Sequence, residues 1–113
     1  MTTKINFNGE IHDQLSISVM DHGFLFGDSV YEVVSTLNNK LCFLDEHLDR
    51  LYKSAEAIAL KIPRDKEWFR EQLTNTLNAA GNKESYVRII VTRGVGEINI
   101  DPSSCEHPNI ILM

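Results

Sequence analysis

Residues 30–58 read VYEVVSTLNNKLCFLDEHLDRLYKSAEAI, and the hydrophobic period changes within this stretch. The β-branched residues of Val30–Leu37 predict a strand, Asn38-Asn39 predicts a turn that tolerates positive φ, and Lys40–Leu44 predicts the return strand. Apolar residues then recur every three or four positions, which predicts an amphipathic helix with Asp45 as its N-cap. The apolar stripe of this helix is Leu44, Leu48, Leu51, Ala55 and Ile58.

Turn and capping residues divide the rest of the chain into short elements. Asn8-Gly9 is the strongest two-residue signal for a hairpin, and it lies between two short runs with strand character. Pro63 ends the first helix, Asp65 is placed to cap a second helix, and Gly81 stops that helix. The remaining elements are the hairpin strands Lys4–Phe7 and Glu10–His12, a strand at Ser85–Thr92, a long loop at Arg93–Pro108 and a last strand at Asn109–Met113.

The order of elements is strands, two helices, strands. This order predicts a small α+β domain of two layers, an antiparallel sheet with both helices on one face. Trp68, Phe69, Leu73 and Leu77 form the inner side of the second helix. The bend between Gly23 and Gly27 matches no pattern.

Composition limits the function classes. The 113 residues carry a net charge of −5, with 42% hydrophobic and 24% charged residues, which is typical of one globular domain. The acidic balance disfavours a nucleic-acid partner. The apolar runs are far shorter than the roughly 20 residues that span a bilayer, and the N-terminus lacks the apolar core of a signal peptide. Two isolated cysteines indicate neither a zinc site nor a disulfide framework, so we expect no metal and a cytoplasmic protein.

Strand alternation predicts which side chains the helices leave uncovered. In a two-residue hairpin, residues 35 and 42 pair, as do 34 and 43. Val34, Leu41 and Phe43 then share the better core face, together with Glu32 and Thr36. The opposite face collects Tyr31, Ser35, Tyr86 and Arg88. A surface of aromatic rings, a hydroxyl and a guanidinium resembles the wall of a ligand site.

Two arginines are candidate anion ligands. Arg50 lies at the edge of the leucine stripe, where it either binds a phosphate or carboxylate in bidentate fashion or pairs with Glu46 or Asp49 at the surface. Arg88 lies inside an apolar strand, where it either binds a carboxylate or forms a cross-strand salt bridge. His12, His22, His47 and His107 lack metal-ligand spacing and are interpreted as structural or surface residues.

Three segments resemble a known family. Residues 21–32, DHGFLFGDSVYE, are similar to the D-x-G-x-x-(F/Y)-G-D-(G/S)-V-(F/Y)-E segment of class IV (fold type IV) pyridoxal-phosphate enzymes. Residues 43–55, FLDEHLDRLYKSA, resemble the H-L-x-R-L-x-x-S-A helix of the same family, and residues 86–94, YVRIIVTRG, resemble a third motif. The family includes branched-chain aminotransferases, D-amino acid aminotransferases and aminodeoxychorismate lyases.

The resemblance implies roles for five residues. Arg50 matches the arginine that binds the phosphate of pyridoxal 5'-phosphate. Phe26, Tyr31, Tyr86 and Arg88 match positions that line the substrate pocket of branched-chain aminotransferases, and the position of Arg88 receives the side-chain carboxylate of glutamate. The loop at 94–102 resembles one that reaches the neighbouring subunit of a homodimer.

The sequence also departs from the family in two ways. D-amino acid aminotransferases carry an Arg-x-His carboxylate trap in the loop where this chain has Glu97-Ile98-Asn99, which disfavours that subclass. None of the lysines matches the Schiff-base lysine, which in the family lies on a second domain. The chain ends in an apolar run that looks like an interrupted strand. We therefore expect residues 1–113 to be the small N-terminal domain of a longer enzyme, with no catalytic residue of its own.

The expected function of the whole protein is amino transfer between an amino acid, branched-chain-like or glutamate, and a 2-oxo acid. The alternatives are an aminodeoxychorismate lyase of the same family and a non-enzymatic assembly or binding domain.

Overall fold

The strands form because their β-branched residues alternate between a buried and an exposed side, and the helices form because their apolar residues follow the helical period. The computed structural model describes residues 2–113. Its elements are β1 (Ile5–Phe7), β2 (Glu10–His12), α1 (His22–Phe26), β3 (Ser29–Leu37), β4 (Lys40–Leu41), α2 (Leu44–Ala57), α3 (Lys66–Ala80), β5 (Tyr86–Thr92) and β6 (Asn109–Leu112). A short 3₁₀ turn occupies Pro102–Ser104.

All six strands belong to one antiparallel sheet in the order β2-β1-β6-β5-β3-β4. The longest ladder joins β3 and β5 and runs from Ser29 opposite Thr92 to Ser35 opposite Tyr86. The last strand, β6, lies between β1 and β5, so residues distant in sequence meet at the centre of the sheet. The predicted hairpin over residues 4–12 is confirmed by β1 and β2.

Helices α2 and α3 contribute their apolar sides to one core against the sheet, as the sequence predicted. The end of α2 differs, because the helix stops at Ala57, before Pro63, and Ile58 of the predicted stripe is 38% exposed. The Asp65 carboxylate accepts a hydrogen bond from the backbone N–H of Trp68 at 2.8 Å, and Gly81 ends α3 with a φ of 66°. Both predicted caps of this helix are therefore confirmed. The buried core consists of Val30, Val34, Leu48, Leu51, Ala55, Leu60, Ile62, Phe69, Leu73, Val87, Ile89, Val91, Ile110 and Leu112.

The junction between β4 and α2 differs from the prediction. The return strand covers only Lys40–Leu41, although the backbone N–H of Cys42 still bonds the carbonyl of Ser35, in the predicted register. Phe43 is the N-cap, in the left-handed region with a φ of 54°, and its side chain is 74% exposed rather than in the core. The chain turns from strand into helix within two residues, and this turn moves Phe43 off the sheet. The predicted N-cap, Asp45, lies in the first turn of α2 and forms no cap.

Arg93 ties three segments together at the end of β5. Its guanidinium donates to both carboxylate oxygens of Asp28 at 2.9 and 3.0 Å, and to the carbonyls of Ile58 and Ala59 at 2.7 and 2.9 Å. The two carbonyls belong to the turn that ends α2, so a single side chain connects the start of β3, the end of β5 and the helix. No sequence pattern indicated this contact, because its partners are 34 to 65 positions away.

Within residues 2–113, no helix combines the length and the apolar character that crossing a membrane requires.

Candidate functional site

The uncovered side of the sheet carries three of the predicted site residues. We call it the open face and define it by Tyr31, Ser35, Tyr86 and Arg88. Tyr86 lies opposite Ser35 in the β3–β5 ladder, and all four side chains are exposed. The guanidinium carbon of Arg88 lies 4.9 Å from the centre of the Tyr31 ring. The predicted grouping is therefore present in the structure.

The Arg88 side chain contacts an aromatic ring rather than a carboxylate. Among the described residues, its contact is the face of the Tyr31 ring, so the alternative of a cross-strand salt bridge is wrong. A cation held over a ring face by this interaction uses none of its N–H groups for a hydrogen bond to a carboxylate. These groups can bind a carboxylate from a ligand above the open face.

Phe26 lies on a separate element, the five-residue helix α1. Its ring packs edge-on against the ring of His22 at a centroid distance of 4.8 Å. His22 is fully buried, and its Nε2 lies 2.7 Å from the carbonyl oxygen of Glu97. Its backbone N–H donates to the carbonyl of Gly94. Phe26 is thereby held beside the start of the loop at 93–108.

A buried carboxylate fixes α1 to the sheet. Asp21 accepts hydrogen bonds from the backbone N–H of Gly23 at 2.7 Å, from the Thr92 hydroxyl at 2.9 Å and from the Asn109 amide at 2.8 Å. A side chain at Gly23 would meet Thr92 at 2.8 Å, which explains the glycine. The bend that the sequence left unassigned is thus a capped helical turn anchored to β5 and β6.

Arg50 lies on the other, helix-covered side of the sheet. Its Nε and Nη2 atoms donate to the two oxygens of Glu32 at 2.8 Å each. The Nδ1 atom of His47 lies 2.7 Å from Oε1 of the same carboxylate. Glu32 is only 6% exposed, whereas the Arg50 side chain is 68% exposed. The structure therefore does not bring Arg50 together with the open face within this domain.

The contacts of this triad favour the ionised form of the Glu32 carboxyl. Hydrogen bonding from Arg50, and then from His47, holds the pKa of the Glu32 carboxyl below its ordinary value, against the opposing effect of burial. The same contact raises the pKa of Arg50. Two of the five N–H groups of Arg50 bond Glu32, which leaves the Nη1/Nη2 edge for another anion.

The alternative of an acidic partner for Arg50 at the surface is thus corrected, because the partner within this domain is the buried Glu32 rather than Glu46 or Asp49. His47 also contacts Glu32, a partner that the sequence pattern around His47 does not indicate. The signal that could have found this triad is Glu32 itself, a charged residue at a core-facing position of a strand. A carboxylate buried there requires donors from the element that covers it.

Comparison with known proteins identifies the family. Residues 29–113 match the family model described as amino-transferase class IV. The chain belongs to the class IV aminotransferase family. The resemblance seen in the three sequence motifs is therefore confirmed.

Two kinds of curated relative are similar to this class IV chain. One is a protein provisionally named branched-chain-amino-acid aminotransferase, from Methanocaldococcus jannaschii, with 39% identity over 95% of this chain and 38% of that protein. Another is a D-alanine aminotransferase of Listeria monocytogenes, with 42% identity over 74% of this chain and 29% of that protein. The chain spans less than two fifths of the length of these relatives.

Solved structures of class IV enzymes share the fold. The branched-chain amino acid aminotransferase of Escherichia coli matches with a TM-score of 0.90 at 20% identity, over 99% of this chain and 39% of that one. The 4-amino-4-deoxychorismate lyase of Pseudomonas aeruginosa matches with a TM-score of 0.78 at 28% identity, over 96% of this chain and 38% of that one. The predicted α+β fold is confirmed.

Proposed function

We propose that the chain is the N-terminal domain of a pyridoxal-phosphate-dependent aminotransferase. The whole enzyme would move an amino group between an amino acid, branched-chain-like or glutamate, and a 2-oxo acid. The observation that carries this proposal is the open face, where the Arg88 guanidinium lies over the Tyr31 ring, beside Tyr86, and forms no ion pair within the described residues. The Methanocaldococcus relative supports the branched-chain substrate class.

The cofactor fits the residues present at one point of contact. Glu32 bonds the Nε/Nη2 edge of Arg50, which leaves the Nη1/Nη2 edge for a phosphate. The Arg50 side chain is 68% exposed, so a phosphate held on another domain could reach it. Bound pyridoxal phosphate supplies an electron sink for the substrate's α-carbon. In this proposal Arg50 binds the phosphate, and Arg88 binds the side-chain carboxylate of glutamate.

The lysine that attaches to the cofactor is proposed to come from a further part of the protein. Lys4 and Lys66 pair with Asp13 and Asp49, and none of the lysines matches the position of the family's Schiff-base lysine. The 113-residue chain alone should therefore produce no 2-oxo acid. A single-turnover assay with pyridoxal phosphate and isoleucine tests this, and a rate above that of the free cofactor would contradict it.

Replacement of Arg50 tests the cofactor contact. In the full-length protein, Arg50→Ala should weaken pyridoxal phosphate binding by about 10- to 100-fold, because a charge-assisted bidentate contact is lost. Titration of the apoprotein, followed by cofactor absorbance, measures the dissociation constant. An unchanged constant would remove this assignment.

Two other substrate classes are supported by specific relatives. The D-alanine aminotransferases favour a D-amino acid, although this chain has Glu97-Ile98-Asn99 where that subclass carries Arg-x-His. The aminodeoxychorismate lyase structure favours elimination. Assays of the full-length protein with L-isoleucine plus 2-oxoglutarate, with D-alanine plus 2-oxoglutarate and with aminodeoxychorismate separate the three. Turnover of D-alanine alone would overturn the branched-chain assignment, and inactivity toward all three would favour an assembly or binding domain.

The same proposal includes a cytoplasmic homodimer. The exposed Ile98 and Ile100 on the loop at 93–108 provide apolar surface for a partner subunit. Sedimentation of the full-length protein tests this, and a strict monomer would contradict it.

A further inference from the structure

We propose that Glu32 is a positioning residue for Arg50. Its buried carboxylate holds the Nε/Nη2 edge of the guanidinium so that the adjacent Nη1/Nη2 edge is positioned to receive a phosphate monoester. This role rests on the proposed contact between Arg50 and the cofactor, and it adds to that contact by explaining how the arginine is oriented.

The first step is the burial of Glu32. The residue alternates with the open face along β3 and points to the side covered by α2, where it is 6% exposed. A carboxylate there is stable only with donors on both oxygens. Three donors supply them: Nε and Nη2 of Arg50 at 2.8 Å each, and Nδ1 of His47 at 2.7 Å.

The second step is the geometry of the guanidinium. An arginine presents two bidentate edges in one plane, and the Nε/Nη2 edge of Arg50 is bound to Glu32. The Nη1/Nη2 edge is the one left for a ligand. An unheld arginine side chain would lose much rotamer freedom when it bound an anion, and fixing it beforehand removes part of that cost.

The third step is the contribution of His47. His47 and Arg50 lie three positions apart on α2, so they project from neighbouring points of the same helix. The contact of His47 with Oε1 prevents the carboxylate from rotating away from Arg50. The triad therefore connects one strand and one helix through a single carboxylate.

Orientation and charge predict opposite effects of neutralising Glu32. Removal of a negative charge close to a phosphate would by itself strengthen phosphate binding. Loss of a fixed guanidinium would weaken it. Weaker binding by Glu32→Gln would therefore point to orientation.

The experiment measures dissociation constants of pyridoxal phosphate and of pyridoxal, which lacks the phosphate, for the full-length apoprotein. We expect Glu32→Gln to weaken pyridoxal phosphate binding about 10-fold and to leave pyridoxal binding unchanged. In an Arg50→Ala background, Glu32→Gln should cause no further loss. Glu46→Gln is the matched control, because Glu46 is an exposed carboxylate on the same helix, and it should bind both ligands like the wild type.

The outcomes separate this inference from the proposed function. If Arg50→Ala leaves pyridoxal phosphate binding unchanged, the proposed contact fails and the role of Glu32 fails with it. If Arg50→Ala weakens binding while Glu32→Gln leaves it equal or tighter, the contact stands and the positioning role is overturned.

Circular dichroism and thermal unfolding establish that each variant is folded. If Glu32→Gln does not fold, His47 provides the test. His47→Ala should weaken pyridoxal phosphate binding several-fold, and His47→Asn, whose amide can donate in place of Nδ1, should restore it. Equal affinities of the two His47 variants would then overturn the positioning role.

Discussion

Replacement of Arg93 by alanine should destabilise the domain more than most single changes. The side chains of Arg93 and Asp28 are only 13% and 18% exposed, and their two hydrogen bonds are charge-assisted. Breaking a buried ion pair costs about 3–5 kcal/mol because one charge stays behind without a partner. Asp28 retains some contact with water, so we expect about 3 kcal/mol, near the lower end of that range. The two lost bonds to the carbonyls of Ile58 and Ala59 act in the same direction.

The change should be measured by urea unfolding of the 113-residue chain, followed by circular dichroism. A loss of about 3 kcal/mol corresponds to a melting temperature lower by about 12 °C for a domain of this size. Arg93→Lys is the matched control, because it keeps the charge but cannot bond Asp28 and both carbonyls together. The Arg93→Lys variant should lose less free energy of unfolding than Arg93→Ala.

A double-mutant cycle with Asp28→Ala isolates the pair. Because the two side chains are in direct contact, their coupling energy should exceed about 1 kcal/mol. The reasoning is refuted if Arg93→Ala unfolds within about 0.5 kcal/mol of the wild type, the range of an ordinary surface substitution.

Three further predictions concern single positions. Gly94→Ala should cost at least about 2 kcal/mol in urea unfolding, because Gly94 has a φ of 97° and an added Cβ would lie 2.0 Å from the carbonyl oxygen of His107. The pKa of Glu32 in the folded state is held below the ordinary value of 4.5, so its contribution to stability is present above pH 4.5 and is lost as the pH falls through the folded-state pKa. Glu32→Gln should therefore flatten the acid limb of the stability curve, and an unchanged limb would contradict the assignment. Burial raises the pKa of the Cys105 thiol, which lowers the fraction of reactive thiolate at neutral pH. In a Cys42→Ser variant, Cys105 should therefore react with a thiol reagent more slowly in the folded protein than in the protein unfolded by urea.

Local patterns predicted most of the fold. The β-branched run of β3, the turn at Asn38-Asn39 and the capping residues of α3 act over a few positions, and each lies where the sequence placed it. The prediction for the strand-to-helix junction was wrong, because the left-handed φ of Phe43 depends on how closely α2 must follow the hairpin. The open face was predicted because alternation along a strand is a local property, and the helices could cover only one side.

The sequence by itself therefore determined the long strands and the two long helices, the two layers, the composition of the open face and the family motifs, since these depend on neighbours within a few residues. Only the tertiary structure decided the partners of the charged residues. Glu32 meets Arg50 from 18 positions away, and Arg93 meets Asp28 from 65 positions away. A buried charge requires a partner of opposite charge or hydrogen-bond donors. The sequence pattern shows that a charged residue lies at a core-facing position, but it does not identify the partner. The choice is made by which strand and helix the packed core places side by side.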